Sequence, residues 1–313
     1  MCPEIDGLRL NFSEDGLFIL NISLAIIMFG VALNLKLEDF KRVFQDPKKP
    51  LIGLTSQFLI LPAFTLLLVY IIDPILCPSM ALGMFLVAAC PGGNISNFIC
   101  LLAKGNVALS VSLSAVATIL AVFMTPVNFA FWAGFYPPAA NLLQEISMDP
   151  WKMFEQILLI LAVPLALGMW VAHRFPKVTS LINKPLRVLS ILIFGGYLIG
   201  AISLNWEFII KYIDRIILIV LVHNALALSL GYIFPTVLRL PQIDRRSISI
   251  ETGIQNSGIA LVLIFNKDIF DGLGGMAIIA ALWGIWHIVA GLTMAFIWSR
   301  REPKPATMEV ASS

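Results

Sequence analysis

Hydrophobic residues are grouped along the chain into nine long segments, separated by short polar or Pro/Gly-rich connections. A helix needs about 20 mostly apolar residues to cross a bilayer. The segments cover residues 17–35, 51–72, 79–103, 106–134, 153–172, 186–204, 216–238, 247–265 and 274–298. The pattern therefore predicts an all-α polytopic membrane protein with nine transmembrane helices and one membrane domain over residues 1–313.

Composition excludes a water-soluble protein. Hydrophobic residues make up 59% of the 313 residues, and charged residues only 13%, against about 25% in an ordinary globular chain. The net charge of +2, without a cluster of Lys and Arg, gives no reason to expect a nucleic-acid partner. The four cysteines, at positions 2, 77, 90 and 100, suggest neither a disulfide framework nor a metal-ligand pattern. The polar N-terminus lacks the basic start of a signal peptide, so we expect the first apolar segment to be retained.

The positions of Lys and Arg predict the orientation, because basic residues resist translocation across an energised membrane. When alternate loops are assigned to the two sides, 16 of the 21 Lys and Arg fall on one side and five on the other. This asymmetry predicts an N-terminus outside and a C-terminus in the cytoplasm. The expected location is the plasma membrane, which for a bacterial protein is the inner membrane.

The third span is interrupted in its middle. It is apolar up to Cys90 and then reads Pro-Gly-Gly-Asn-Ile-Ser-Asn over residues 91–97. Proline removes a backbone donor and glycine disfavours a helix. Unwound backbone at bilayer depth is tolerated only where protein or a water-filled cavity covers it. The segment indicates a functional break, with a kinked packing helix as the alternative.

The eighth span carries a second interruption, which reads Glu-Thr-Gly-Ile-Gln-Asn-Ser-Gly over residues 251–258. Glu251 is the only acidic residue well inside any predicted span. Its burial costs about 2.5–3.5 kcal/mol on insertion scales, so a partner or a function is expected. The alternative is that Glu251, five residues after Arg246, extends to the cytoplasmic surface.

The two interrupted spans run in opposite directions, which is the pattern of an inverted repeat whose halves meet at a midplane site. Ser110 and Ser114 lie on one face of the fourth span. Two interpretations are open: their hydroxyls are ligands, or they form hydrogen bonds between helices. Gln57 lies inside the second span. Hydroxyl, amide and carboxylate oxygens are hard ligands that suit Na⁺ better than a transition metal.

These motifs resemble those of the bile acid:sodium symporter family. The segments at 90–97 and 251–258 match the two crossover helices of that family, and residues 27–30, 105–112 and 286–287 match at the right spacing. Asn94 replaces the family's usual threonine, and Ile288 stands where bacterial relatives often have asparagine. Both departures lie on the substrate side, so the resemblance implies sodium coupling without identifying a substrate.

The resemblance implies a panel domain of spans 17–35, 153–172 and 186–204 and a core domain over residues 51–134 and 216–298, with spans three and eight crossing as discontinuous helices. It implies a first sodium site made of Ser96, Asn97, Ser110, Ser114 and Glu251. The second site would use Gln57, Glu251 and Gln255, with the backbone carbonyls of Thr252 and Ile254. The substrate would contact Asn94, Asn256 and His287.

The function implied is sodium-driven symport of an organic anion by alternating access, with Na⁺ as coupling ion, no cofactor, and membrane lipid as surroundings. The anion would be a bile acid, or a small carboxylate such as pantoate or a 2-keto acid. A proton-coupled carrier with Glu251 as the titrating group and a non-transporting sensor remain alternatives. The three histidines have no nearby Asp or Cys partners, so an enzyme is not expected.

Overall fold

The computed structural model describes residues 2–9, 14–35, 37–93, 95–147, 149–204 and 206–303, and these form helices with short connections and no strands beyond isolated bridges. The helices are α1 Cys2–Gly7, α2 Glu14–Ala32, α3 Leu37–Gln45, α4 Lys48–Thr55, α5 Leu61–Ile72, α6 Pro78–Ala89, α7 Ser96–Leu102, α8 Val107–Gly134, α9 Pro137–Glu145, α10 Pro150–Ile157, α11 Val163–Arg174, α12 Pro176–Leu204, α13 Trp206–Val237, α14 Gln242–Gly253, α15 Ser257–Phe265 and α16 Gly274–Ser299.

The all-helical membrane fold is confirmed, whereas the count of nine crossings stays a prediction. Within the described ranges, five helices are long and apolar enough to span a bilayer: 48–75, 107–134, 150–174, 216–237 and 274–299. Asn21–Ala32 and Pro78–Ala89 are shorter apolar helices. The predicted spans 79–103 and 247–265 are each divided into two short helices, α6 with α7 and α14 with α15.

The helices pack into two groups. In one, α2 packs against both α11 and α12. In the other, α16 packs against α6, α13 and α15, and α8 packs against α6, α7 and α14. The main apolar core lies mostly in the second group and includes Met80, Phe85, Phe129 and Trp283, each at most 2% exposed. The second group therefore surrounds both broken spans.

A π-helical turn over Ser56–Ile60 joins α4 to α5, and Pro62 is the reason that the α-helix widens there. Proline has no N–H, and its ring collides with the carbonyl four residues earlier, here that of Phe58. Asn128 of α8 donates its Nδ2 hydrogen to this Phe58 oxygen over 2.9 Å. The turn places Ser56 and Gln57 in the interior, where each is at most 1% exposed.

The N-terminal segment corrects one expectation about the cysteines. Cys2 of α1 and Cys77, just before α6, form a disulfide although 75 residues separate them. Asp6 accepts a hydrogen bond of 2.9 Å from the backbone N–H of Ser79, and the Leu8 carbonyl accepts one of 2.9 Å from Gly274. The sequence did not indicate this pair, because only the folding of α1 onto the starts of α6 and α16 brings the two cysteines together.

Helices α13 and α14 approach so closely that a side chain cannot replace Gly231. A Cβ at this position would lie 2.7 Å from the Ser249 Cα and 2.9 Å from the Ile248 carbonyl oxygen. Both are backbone atoms, which cannot turn aside. Glycine at position 231 therefore sets the distance between span seven and the first half of span eight.

We predict that Gly231→Ala lowers the free energy of unfolding by about 1–3 kcal/mol, because the methyl group forces the two helices apart. The measurement is the thermal unfolding temperature in detergent. Gly196→Ala in α12 is the control, because its Cβ would meet no atom within 4 Å. An unchanged unfolding temperature for Gly231→Ala would contradict the close approach.

Candidate ion and solute site

The two unwound segments cross and are hydrogen-bonded to each other through their backbones. The Gly93 N–H donates to the Ile254 carbonyl over 2.6 Å, and the Asn256 N–H donates to the Pro91 carbonyl over 2.8 Å. Gly92 and Gln255 face each other in this short antiparallel bridge. Backbone groups that leave a helix inside a membrane need such partners. Both predicted interruptions are therefore present, and each supplies the bonds that the other has lost.

Two glycines allow this crossing. A Cβ on Gly92 would lie 2.8 Å from the Glu251 Oε2 atom, and a Cβ on Gly93 would lie 3.0 Å from the Gln255 carbonyl oxygen. The first distance is shorter than real Cβ contacts, and the second leaves no spare room against a fixed backbone. The absence of side chains at residues 92 and 93 thus lets the carboxylate of span eight reach the break in span three.

The Glu251 carboxylate accepts hydrogen bonds from three serine hydroxyls and is only 2% exposed. Ser96 donates to Oε1 over 2.6 Å, Ser114 donates to Oε2 over 2.8 Å, and Ser110 also donates to Oε1. The Ser110 hydroxyl lies 2.8 Å from the Asn97 Oδ1 atom as well. All five residues that the sequence predicts for the first sodium site are therefore in one hydrogen-bonded cluster.

The amides predicted for the second sodium site lie at the same crossing: the Gln57 Nε2 atom is 3.5 Å from the position of a Cβ on Gly92, and Gln255 pairs with Gly92. Gln255 donates its Nε2 hydrogen to the Thr252 carbonyl over 2.8 Å, while its buried Oε1 atom has no hydrogen-bond partner. The buried Nε2 atom of Gln57 also has no partner. Ser56, which the sequence analysis did not select, lies 3.1 Å from the Thr252 hydroxyl. Two buried amides with an unpartnered atom at one place are uncommon, and the Gln255 oxygen atom is of the kind that binds a hard cation.

Glu251 does not extend to the surface beside Arg246. The Arg246 side chain, itself nearly buried, donates to the carbonyls of Ala103, Trp298 and Arg301 over 2.9, 3.2 and 2.9 Å. These carbonyls lie at the ends of α7 and α16, where a cation is favourable. Arg246 thus joins helix ends, and the alternative in which Glu251 reaches the cytoplasmic surface is not what the structure shows.

Two polar residues at the crossing were missed by the sequence analysis. Thr125 of α8 donates to the Ala89 carbonyl at the end of α6 over 2.9 Å. Asn224 of α13 donates to the Gly253 carbonyl at the end of α14 over 2.7 Å. Each satisfies a carbonyl that its helix leaves free. The available signal was an uncharged polar residue in a mostly apolar span, which does not by itself identify its partner.

The structure describes two of the three residues predicted for the solute. Asn256 immediately precedes α15, and its Oδ1 atom accepts a hydrogen bond of 3.3 Å from the Ile259 N–H. His287 of α16 is 5% exposed, and its Nδ1 atom has no hydrogen-bond partner. Asn94 lies outside the described residues. Contacts of these residues with a solute stay a prediction.

Comparison with known proteins decides the family. A model of the sodium bile acid symporter family matches residues 21–212. The chain belongs to the sodium bile acid symporter family. The sodium-dependent transporter YocS of Bacillus subtilis, described as uncharacterized, is 31% identical over 300 residues, which are 94% of this chain and 89% of that protein.

Two plant and animal relatives are longer proteins. The chloroplastic protein named probable sodium/metabolite cotransporter BASS1 of Arabidopsis thaliana is 30% identical over 90% of this symporter-family chain and 67% of its own length. The human P3 protein is 28% identical over 94% of the chain and 61% of its own length. The family consists of transporters, so the expectation that this chain is not an enzyme is confirmed, as is the resemblance.

The donor set at the crossing suits a hard cation. In the described part of the chain, no group of three or more His, Cys, Asp or Glu could hold a metal ion. The clustered groups are instead one carboxylate, hydroxyls, amides and backbone carbonyls, which supply the oxygen donors that hard cations prefer. In this symporter-family protein the chemistry of the crossing therefore fits sodium better than zinc or iron.

We predict that Gly92→Ala weakens sodium binding strongly, because the new methyl group displaces the Glu251 carboxylate. The measurement is the rise in unfolding temperature as NaCl replaces choline chloride. Gly291→Ala is the matched control: it is also buried at the crossing, but its Cβ would meet only the ends of the Ile254 and Ile99 side chains, which can turn aside. Equal sodium responses in both variants would contradict the role of Gly92.

Proposed function

We propose that this protein is a sodium-coupled symporter that carries an organic anion inward by alternating access. Membership of the family supports sodium-coupled transport of an organic solute. The observation that carries the finer proposal is the position of Glu251, a buried carboxylate at the crossing of two broken spans, surrounded by oxygen atoms from both. Such midplane crossings are where transporters of this architecture bind their ions.

In the first proposed sodium site, Ser96, Ser110 and Ser114 would exchange their bonds to Glu251 for contacts with the cation. Each hydroxyl has one hydrogen, which now points to the carboxylate or, for Ser110, alternatively to Asn97. A cation in this cluster would be held by the hydroxyl oxygens and the carboxylate, and the hydrogens would turn away. The three hydroxyls thus compensate for the buried charge when no cation is bound.

In the second proposed site, rotation of the Gln255 amide would likewise make oxygen atoms available to the cation. The Thr252 carbonyl, a proposed ligand, now accepts a hydrogen bond from the Nε2 atom of Gln255. If the Gln255 amide turns over, its unpartnered Oε1 atom faces the cation and the Thr252 oxygen is released. Gln57, Glu251 and the Ile254 carbonyl would complete the site.

The solute is proposed to be an organic anion near Asn94, Asn256 and His287. The N-terminus of α15, which Asn256 precedes, carries a partial positive charge that favours a carboxylate. The family is named for bile acids and the Arabidopsis relative for a metabolite. We therefore propose bile acids or small carboxylates such as pantoate or a 2-keto acid as candidate solutes.

Alternating access would move a core domain against a panel domain. The packing of α2 against α11 and α12 supports a separate panel, and the helices around the crossing would form the core. Between the two groups, Leu24, Ile157 and Leu161 face Ile259, Val262 and Leu263 across a small apolar gap. An apolar contact without interlocking polar bonds suits two bodies that must move past each other.

Proton coupling through Glu251 and a non-transporting sensor are the alternative functions. The proton-coupled carrier would transport along a pH gradient without sodium. The sensor would bind its solute equally well with and without sodium. The oxygen cluster around Glu251 favours a metal cation over both alternatives, because it contains more donors than a single proton needs.

The Cys2–Cys77 disulfide is a second observation that supports the proposed orientation. Cys2 and Cys77 lie with the starts of α6 and α16 at one end of the helices, whereas Lys49, Lys104 and Arg246 lie at the other. Disulfides persist in oxidising compartments and are rare in the cytosol. The end with the disulfide would therefore be outside, in agreement with the excess of basic residues predicted for the cytoplasmic side.

We predict that a membrane-impermeant maleimide labels Asp268→Cys from outside and Lys48→Cys only in inside-out vesicles. Both positions are exposed, and the native cysteines are either in the disulfide or buried. Labelling of Lys48→Cys in intact cells would overturn the orientation.

We predict that Glu251→Gln abolishes the effect of sodium on solute binding and uptake, whereas Ser114→Ala only raises the sodium concentration required. Two cations in a low-dielectric site need at least one full negative charge, while a single hydroxyl can be replaced by water. The measurement is sodium-dependent uptake of a panel of labelled carboxylates into proteoliposomes, with solute affinity measured against sodium concentration.

The unmutated protein and a pH gradient without sodium are the controls. Coupling is reciprocal, so sodium must also tighten solute binding in the unmutated protein. A Glu251→Gln protein that keeps the full sodium effect would show that the carboxylate is not a ligand. Uptake that follows the pH gradient alone would favour the proton-coupled carrier.

A further inference from the structure

Asn224, in the middle of α13, has no part in either proposed ion site but contacts the backbone between them. It is fully buried, and its Nδ2 atom donates to the Gly253 carbonyl over 2.7 Å. Its Oδ1 atom is also buried and has no hydrogen-bond partner. Burial of the Oδ1 atom without a partner costs free energy. The bond from Nδ2 to the Gly253 carbonyl must therefore be favourable enough to offset that cost.

The Gly253 carbonyl is the middle one of three successive carbonyls at the point where α14 ends and the unwound segment begins. The Thr252 carbonyl accepts from the Gln255 side chain, and the Ile254 carbonyl accepts from the Gly93 backbone. The outer two carbonyls are the proposed cation ligands. Because successive peptide groups share their Cα atoms, the orientation of the Gly253 peptide limits the orientations of both neighbours.

Gly253 cannot be held in place by its own side chain, and it lies directly against α13. A Cβ at this position would lie 2.3 Å from the Leu228 Cδ2 atom and 2.5 Å from its Cγ atom, so any larger residue would have to displace the Leu228 side chain. Leu228 follows Asn224 by one helical turn, and its carbonyl accepts a hydrogen bond of 2.6 Å from Ser249. Without Asn224, the peptide after Gly253 would have the wide conformational freedom of glycine.

His223, the residue before Asn224, connects the same turn of α13 to span two through a hydrogen bond. The Thr65 hydroxyl donates its hydrogen to the Leu61 carbonyl over 2.8 Å, so the His223 Nε2 atom, 2.8 Å from the same hydroxyl, must be the donor. Thr65 and Leu61 belong to α5, which continues from the π-helical turn that contains Gln57. One turn of α13 therefore contacts both elements that supply the second proposed sodium site.

We propose that Asn224 is a positioning residue for the second sodium site, which rests on the sodium-coupled function proposed above. By holding the Gly253 carbonyl, it keeps the Thr252 and Ile254 carbonyls on the side of Glu251 and Gln255. It acts through the Gly253 peptide and not as a ligand.

The test uses sodium alone as the probe. The purified unmutated protein and its variants are heated in detergent while NaCl replaces choline chloride at constant ionic strength, and the sodium concentration for half-maximal stabilisation is measured. We expect Asn224→Ala to raise this concentration about tenfold, the change that corresponds to one lost buried hydrogen bond. Asn224→Ser keeps a donor on a shorter side chain, so we expect an intermediate shift, which also serves if the alanine variant is not recovered.

Thr125→Val is the matched control, because it removes the same kind of bond at the other broken span. Thr125 is also fully buried and satisfies the free Ala89 carbonyl, but no proposed ion ligand lies beside that carbonyl. We expect it to lower the unfolding temperature in choline chloride while leaving the sodium requirement within about twofold, since its loss affects stability and not the ion site.

The Asn224→Asp variant distinguishes a residue that positions the Gly253 peptide from one that binds the cation directly. An aspartate offers oxygen atoms to a cation but has no hydrogen for the Gly253 carbonyl, so we expect a sodium requirement at least as high as that of Asn224→Ala. An aspartate variant with the unmutated sodium requirement would overturn positioning in favour of ligation. Equal shifts in Thr125→Val and Asn224→Ala would overturn it in favour of general destabilisation.

The experiment also distinguishes the two proposals from each other. If sodium stabilises the unmutated protein but Asn224→Ala has the same sodium requirement, only the role of Asn224 is overturned. If sodium does not stabilise the unmutated protein, the sodium-coupled function fails and the inference fails with it.

Discussion

The burial of one carboxylate is the constraint on which the rest of the crossing depends. Glu251 has lost nearly all contact with solvent, and a charge in such a place needs donors that replace water. Ser96 comes from α7, and Ser110 and Ser114 come from α8, so three helices must meet at this point. The absence of a side chain at Gly92 allows the carboxylate to approach span three. Packing of the helices around the crossing and chemistry at the crossing are thus one requirement.

The backbone N–H and C=O groups that the two broken spans leave free also need hydrogen-bond partners. The structure supplies these partners in two ways. The breaks bond to each other through residues 91, 93, 254 and 256. One carbonyl at each helix end is satisfied by a side chain of a neighbouring span, that of Ala89 in α6 by Thr125 and that of Gly253 in α14 by Asn224. Unwound backbone would otherwise be too costly in a membrane interior. Isolated polar residues of the intact spans are therefore part of the crossing.

The sequence predicted the helical membrane fold and both interruptions, because apolar length, proline and glycine have strong local effects. The residues around Glu251 were expected from the resemblance to the motifs of the family. The sequence could not predict Asn224, Thr125 or Ser56, since their partners lie in distant spans and only packing brings them together. The Cys2–Cys77 disulfide was missed for the same reason. The π-helical turn before Pro62 has a local cause, the proline itself. The bond from Asn128 to the Phe58 carbonyl that results from it joins residues far apart in the sequence, so it could not be predicted either.

In the proposed symport, coupling between ion and solute would follow from how short the crossing is. The Ile254 carbonyl, a proposed sodium ligand, and Asn256, which precedes α15 on the proposed solute side, are only two residues apart, and both bond to the break in span three. A cation at the Ile254 carbonyl would share that oxygen atom with the Gly93 N–H and would bias the orientation of the peptide that leads into α15. A solute that fixes the start of α15 would constrain the same peptide in return. The two ligands would then change each other's affinity through one shared stretch of backbone, which is the reciprocity that symport requires.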